Sequence, residues 1–363
     1  MIAEKITFVN RDSTAFVEEL KQKVSDYFQN KGISSNANAA MILKSFILLT
    51  LMYGSYALIL SNQFSLWIMS LLALLMGVCI AGIGFSVGHD ALHGAYSSNP
   101  AVNKVIGFTF ELLGANGYLW KITHNVIHHT YTNIHGIDED LTVSPILRLS
   151  PRSEWKPFHR FQHLYALLAY STAIIFWIFV KDYKYILQRD LGPYKNIKHP
   201  VSEVVLLILG KIFYYTYMII IPLFVLNVTW WQFIIGFLLM NLTAGIILGV
   251  IFQLAHVVEG TDHPAPNTEG VIENAWTVHE METSSDFARD NKFLSWYIGG
   301  LNYQIEHHLF PKVCSIHYPE ISKILRETAK KYNIRYNYQP SLIAAMRSHY
   351  ETLKKFGKER AMS

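Results

Sequence analysis

Four stretches of the chain are apolar for long enough to cross a bilayer, which takes about 20 residues in a helix. Residues 41–60 contain one charge, Lys44, and residues 64–86 contain none. Residues 204–226 contain only Lys211, and residues 230–252 again no charge. The turns within each pair are short and uncharged: Ser61-Asn62-Gln63 in the first, Asn227-Val228-Thr229 in the second. This pattern predicts an all-α integral membrane protein with four transmembrane helices arranged as two hairpins. A soluble all-helical bundle is the alternative, but its core helices seldom run so far without a charge.

A fifth apolar segment, 164–180, sits at the lower length limit and runs straight into Lys181, Asp182, Lys184, Arg189 and Asp190. If the four longer segments span, every Lys and Arg except Lys44 and Lys211 falls on one side. The positive-inside rule then puts both termini and the whole of 87–203 in the cytoplasm. The chain reads as one domain, 1–363, with a polar N-terminal segment (1–40), a cytoplasmic helical cap and a basic C-terminal tail (346–363).

Composition agrees: 51% of residues are hydrophobic and 16% charged, fewer charges than soluble domains carry. The formal charge of +4 forms no basic stripe, so no nucleic-acid partner is expected. The two cysteines, Cys79 and Cys314, form no C-x-x-C pair, which argues against disulfides and thiolate metal sites. Residues 1–40 contain no apolar signal-peptide core.

Histidine changes the picture. There are 16, and most are clustered. His89 and His93 lie in GHDALHG, and His124, His128 and His129 in THNVIHHTYTNIHG, with His135 just beyond. His256 follows the fourth span, and His307 and His308 lie in LNYQIEHHLF, with Gln304 one turn earlier. Residues three and four apart share a helix face, so each box can aim its imidazoles at a common point. Topology brings all eight to one side of the membrane. Eight imidazoles exceed one metal's capacity and suit two, in a shell that fits iron, zinc, copper or nickel. Asp90, Asp138 and Asp140 are expected to accept from imidazole N–H groups and fix tautomers; for Asp138 and Asp140, surface helix capping is equally open.

Parity constrains the fifth segment. His129 and His256 must reach one site, so an even number of crossings separates them, and 164–180 must lie in the interface or dip into one leaflet. His159 and His163, spaced i, i+4 before it, are read as interfacial rather than as ligands. Asn116 and Trp120 are candidates to line a tunnel, although anchoring at the membrane interface is the plainer reading for Tyr118 and Trp120. Segment 276–290, with His279 and Asp286, is a candidate cover for the site, His279 itself being expected at the surface.

These boxes resemble those of the membrane fatty acid desaturases: HDALH, HNVIHH and the Gln-first QIEHH agree in order, spacing and relation to the hairpins over roughly 35–345. LNYQIEHHLFP is most similar to the front-end branch, which acts between an existing double bond and the carboxyl end. The resemblance implies two Fe ions and O2 as co-substrate. It implies His89, His93, His124, His128, His129, His256, His307 and His308 as ligands, with Gln304 and Asp90 at the metal site. Many front-end enzymes carry a fused cytochrome b5 domain with an HPGG motif; no HPGG occurs here and 1–40 is too short for that domain. A separate ferredoxin or cytochrome b5 with its reductase is therefore expected as electron donor. Whether the acyl substrate is carried by CoA, carrier protein or intact lipid stays open, as does regiochemistry. An acyl hydroxylase or alkane-type monooxygenase on the same scaffold, and a metal-binding membrane receptor or zinc hydrolase, remain alternatives.

Overall fold

A computed structural model describes residues 6–9, 14–141 and 145–358. Four helices are long and apolar enough to cross a membrane: Ala39–Leu60, Leu66–Leu92, Val201–Val225 and Trp230–His256. The second and fourth run further than the apolar pattern alone suggests. The second continues through His89 and the fourth ends on His256, so these histidines ride on the spans' last turns rather than following them. No proline or glycine turn interrupts the helices there, and the cap buries the polar ends. Besides helices, the described residues form two parallel two-residue pairings, Thr7–Phe8 with Val271–Ile272 and Asp286–Phe287 with Tyr338–Gln339.

The helix starts have local causes. Asn38 caps the first apolar helix by accepting from the Met41 N–H at 3.1 Å, and Thr229 with Gln232 forms a capping box on the fourth. Asn62 takes a left-handed conformation (φ 56°) between the first two. Its side chain donates to the Val225 carbonyl at 2.9 Å and accepts from the Asn227 N–H at 2.8 Å. One amide thus ties the two short turns together.

The first helix packs on the second, and the second packs more extensively on the fourth. Glycines allow the close crossings. A Cβ at Gly77 would stand 2.4 Å from the Met240 carbonyl oxygen. The opposite side of the fourth helix receives a bent pair, Pro157–Ser171 and Ala173–Leu187, which meet at 57°. Thr172 lies at the bend and its hydroxyl donates to the Ala169 carbonyl at 2.8 Å. The bend fits against Gly245 and Gly249, where a Cβ would meet the Ser171 oxygen at 2.1 Å and the Tyr170 Cβ at 2.7 Å. Segment 164–180 is therefore not one straight helix.

Both lysines in the apolar helices are buried and satisfied. Lys44 donates to the Trp296 carbonyl at 3.2 Å. Lys211 pairs with Asp182 at 2.8 Å and donates to the carbonyls of Gly114 (2.7 Å) and Ile178 (3.0 Å).

Around these helices sits a cap. The N-terminal helix Thr14–Lys31 packs Phe16, Leu20 and Val24 against Ile321 and Leu325 of Tyr318–Lys331. The basic C-terminal segment begins inside helix Leu342–Lys358, which docks on the bent pair. There His349 donates to the Val257 carbonyl at 2.7 Å and accepts from the Tyr170 hydroxyl at 2.9 Å. Residues 359–363 of that segment lie outside the described residues.

Replacing Gly245 with alanine should destabilise the fold by about 1–3 kcal/mol, because the clash is with backbone that cannot rotate away. Gly236→Ala on the same helix, where a Cβ meets nothing within 4 Å, should be neutral. Thermal inactivation of the two variants in detergent checks the difference.

Candidate metal centre

All eight histidines singled out in the sequence converge in one buried site, in two groups. His89, His93, His124 and His307 form the first; His128, His256 and His308 form the second. Within each group the ligand-capable atoms lie within 4.8 Å of one another. His129 sits between, its ring 4.5 Å from His307, 4.8 Å from His93 and stacked at 4.3 Å on His308.

The boxes do not each aim at one point. The second box is split: His124 joins the first group and His128 the second. Lys121–His128 is a π-helix, so residues four apart are no longer one turn apart. Their rings stack at 5.0 Å and face different groups. A second π-helical turn, Ile83–Gly88, leads into His89; such turns are frequent at functional sites. The third box is also split, His307 going to the first group and His308 to the second.

Five of the eight rings are held at Nδ1. Nδ1 of His124 meets Asp140 at 2.9 Å, that of His128 meets Asp138 at 3.0 Å, and that of His308 meets Glu280 at 2.6 Å. His256 Nδ1 faces the Thr283 carbonyl at 3.3 Å, and His307 Nδ1 the Tyr318 hydroxyl at 3.2 Å. Nε2 of His93, His124, His128 and His307 is buried with no hydrogen-bond partner, and neither nitrogen of His129 has one. Buried polar atoms are normally paired. Unpaired lone pairs that converge in two groups are what a metal ion satisfies, and an all-imidazole donor set fits a divalent transition metal.

Electrostatics point the same way. Burial, aided by neighbouring imidazoles, holds His93, His129, His307 and His308 well below the usual histidine range. Burial also pushes His124 down to about 3, against the pull of Asp140. Neutral imidazole is the form that binds metal. His128 is the exception: burial lowers it, but the Asp138 carboxylate raises it more.

Gln304 is buried against the second group. Its amide lies 3.0 Å from His256 Nε2 and 3.2 Å from His308 Nε2, so it occupies the position of a fourth side chain there. Asp90 reaches His89 Nδ1 only at 3.4 Å. Its second oxygen accepts from Ser315 N–H (3.0 Å), Ser315 Oγ (2.8 Å) and Cys314 Sγ (3.2 Å), so it chiefly clamps the first box to the segment after the third. Asp138 and Asp140 are ring anchors, not surface caps.

Other expectations shift. His279 is buried, not at the surface, with its ring 5.1 Å from Phe8, and it joins neither group. Segment 276–290 does cover the site. Trp276 donates to the His129 carbonyl at 3.1 Å, Glu280 holds His308, and Asp286 accepts from the Ile305 N–H at 3.1 Å, at the start of the third-box helix. Glu280 and Tyr318 were missed in the sequence. A covering segment flagged for a histidine was the nearest signal to Glu280, and Tyr318 had none. His159 is spent on backbone, with Nδ1 accepting from Lys156 N–H at 3.0 Å and Nε2 donating to Pro145 O at 2.9 Å. His163 packs on Tyr350, and His135 contacts Ser153 at 3.2 Å. Tyr118 bonds His199 at 3.0 Å. Trp120 is no interfacial anchor: it is buried and stacks on His124 at 4.4 Å.

An apolar cavity of about 320 Å³ ends on this site. His89, His124, Gln304 and Trp120 form its polar end, and Ile80, Leu113, Ile174, Trp177 and Leu248 belong to its apolar wall. Asn116 does not line it; its side chain caps the turn at Leu119.

The match to known proteins is broad. The fatty acid desaturase family model matches residues 65–340. The chain belongs to the fatty acid desaturase family. The desaturase is 34% identical over 362 residues to an sn-1 linoleoyl-lipid 6-desaturase of Synechocystis, covering 99% of each chain. It is 33% identical to one of Arthrospira platensis, over 97% of this chain and 94% of that one. An acyl-lipid (8-3)-desaturase of Physcomitrium patens is 32% identical, over 97% of this chain and 74% of the other. Family members are oxidoreductases that act on lipid, so this desaturase is an integral membrane enzyme of lipid metabolism.

Glu280→Gln and Asp138→Asn should each lower metal retention about 10–100-fold, because a ring freed at Nδ1 no longer presents Nε2. Metal per chain after graded chelation measures this. Unchanged retention would mean that the carboxylates are structural only.

Proposed function

We propose that this protein inserts a cis double bond into the acyl chain of a membrane lipid, on the carboxyl side of an existing double bond. One observation carries the reading: a narrow apolar cavity runs into a buried set of unpartnered imidazole nitrogens. The two histidine groups suit two iron ions, the first held by His89, His93, His124 and His307. The second is held by His128, His256 and His308, with Gln304 beside it and His129 between the groups. When bound, iron supplies the reduction of O2 and the removal of hydrogen from an unactivated methylene. Overall, –CH2–CH2– loses two hydrogens, and O2 takes these with two electrons and two protons to give two waters.

The chain's own residues position and exclude. The cavity wall fixes one carbon–carbon bond against His89 and His124, the ordering that makes one bond react rather than its neighbours. Trp120, stacked on His124, closes the polar end against bulk water. Anchored Nδ1 atoms keep His124, His128, His256, His307 and His308 facing inward, so these rings need no reorganisation on reaction. The names of the Synechocystis and Physcomitrium relatives, which specify acyl groups on lipid, support an acyl-lipid substrate.

The electrons come from a separate one-electron carrier, a ferredoxin or a cytochrome b5 with its reductase. The four apolar helices act as two membrane hairpins whose tied turns lie on the far side, and the histidines and both termini face the cytoplasm. The bent pair enters one leaflet and returns; Lys211 paired with Asp182 supports this, since a charge inside a span needs a partner at its own depth. The whole chain acts as a single membrane-embedded domain.

Expression with an electron donor in a host fed defined fatty acids should yield one new double bond between the existing one and the carboxyl end, with two irons per chain. Hydroxylated lipid without a new double bond, or active protein that holds zinc and needs no O2, would refute the reading. Gln304→Ala should lower both turnover and iron content by on the order of tenfold. Full iron content with normal turnover would leave that amide a bystander.

A further inference from the structure

Lys181 has no part in the chemistry described so far, yet it lines the same cavity. Among the described residues of that wall it is the only Lys or Arg. It is buried, at 8% exposure. Its ammonium faces the Trp177 ring at 4.7 Å and the Tyr185 ring at 5.6 Å, and meets Asp140 only at 3.5 Å. An ammonium carries three donors. One donor goes to Asp140 at the long distance of 3.5 Å, and aromatic faces take up charge rather than direct N–H bonds. Strong donor capacity is therefore left over in a cavity whose wall is otherwise mostly apolar. A buried cation is costly unless its donors are used, and the ligand that fits an apolar tube with one charged donor is a hydrocarbon chain ending in an acceptor. Gln253 and Thr172 also line the cavity, but neither carries a charge.

We infer that Lys181 binds the carbonyl oxygen at the head of the acyl chain and sets how many carbons separate it from the oxidised bond. The inference rests on the desaturase reading. The reach supports it. Lys181 lies 3.5 Å from one oxygen of Asp140, whose other oxygen lies 2.9 Å from His124 Nδ1. Adding the widths of a carboxylate and an imidazole puts Lys181 Nζ at most about 11 Å from His124 Nε2. Subtracting one N–H···O contact leaves room for at most about six carbon–carbon bonds before the reacting position. The acceptor is the carbonyl of an ester or thioester; a free carboxylate would meet Asp140 as a like charge. The double bond then falls a fixed, short distance from the head, whatever the length of the methyl end.

The test compares Lys181→Met, which keeps the stem and loses the donor, with Lys181→Arg and wild type. Each is presented with an acyl-ester lipid and with the matching alkyl-ether lipid, which lacks the carbonyl. On the ester, Lys181→Met should raise KM about tenfold or more and spread the product over neighbouring double-bond positions, with iron per chain unchanged. Lys181→Arg should restore a single position. On the ether, wild type should behave as Lys181→Met does, and the substitution should make no further difference. A single unshifted product position and normal KM for Lys181→Met on the ester would overturn the inference. So would iron lost in parallel with activity, which would make Lys181 only a support for Asp140. If Lys181→Met fails to accumulate, the ester–ether comparison in wild type still decides: equal KM and position for both lipids overturn the inference. Wild type forming no double bond in the ester would instead refute the desaturase reading itself.

Discussion

Everything else in the molecule serves one costly arrangement: eight imidazoles packed together in one buried site. A buried polar atom without a partner costs about 1–3 kcal/mol, and here several Nε2 atoms and both nitrogens of His129 stand unpartnered at once. Such a set persists only if each ring is gripped from behind. Carboxylates grip three of the rings, His124, His128 and His308. A hydroxyl and a backbone carbonyl face two more, His307 and His256. Those grips come from parts of the chain far apart in sequence: Asp138 and Asp140 after the second box, Glu280 and Thr283 in the covering segment, Tyr318 beyond the third box. The cap is folded around the second nitrogen of these five histidines.

That requirement explains the helices beneath. The second and fourth apolar helices carry His89 and His256 on their last turns, so their relative position sets the relative position of the two groups. Gly77 lets these two helices meet backbone to backbone with no methyl between them. On the far side, Gly245 and Gly249 seat the bent pair, whose second arm supplies Ile174, Trp177 and Ile178 to the cavity wall. Lys211 then holds that arm at its π-helical turn by donating to the Ile178 carbonyl. Stability and cavity shape are thus the same set of contacts.

Much of this was legible in the sequence because it rests on local pattern. The four apolar helices follow from runs of uncharged residues, and the histidines could be found by spacing alone. Gln304 stood out because it sits one turn before a histidine pair. The limits of the spans were less legible: polar residues such as His256 break an apolar run without breaking a helix. Glu280 and Tyr318 were invisible because a ring anchor needs only to be near in space, and no spacing rule links residue 280 to 308 or 318 to 307. His279 drew attention for its chemistry, while its neighbour Glu280 makes the contact. The bend at Thr172 had no signal in the sequence; the parity of crossings argued only that 164–180 does not span.

The division of the second and third boxes between two groups has a simple geometric root. Adjacent residues on a helix point about 100° apart, so a His–His dipeptide cannot serve one metal position well but can stand between two. His307 and His308 do so from one helix; from another, His128 joins the second group and His129 lies between the two. The π-helical turn over Lys121–His128 lets His124 and His128, four apart, follow the same division. Gln304 then falls, by its i, i+4 relation to His308, on the side of the second group. That group has three histidines where the first has four, so the amide stands where the shell is short of a donor. The Gln-first third box is therefore matched to the asymmetry of the site: an imidazole at 304 would even out the two groups, and the amide keeps them chemically distinct.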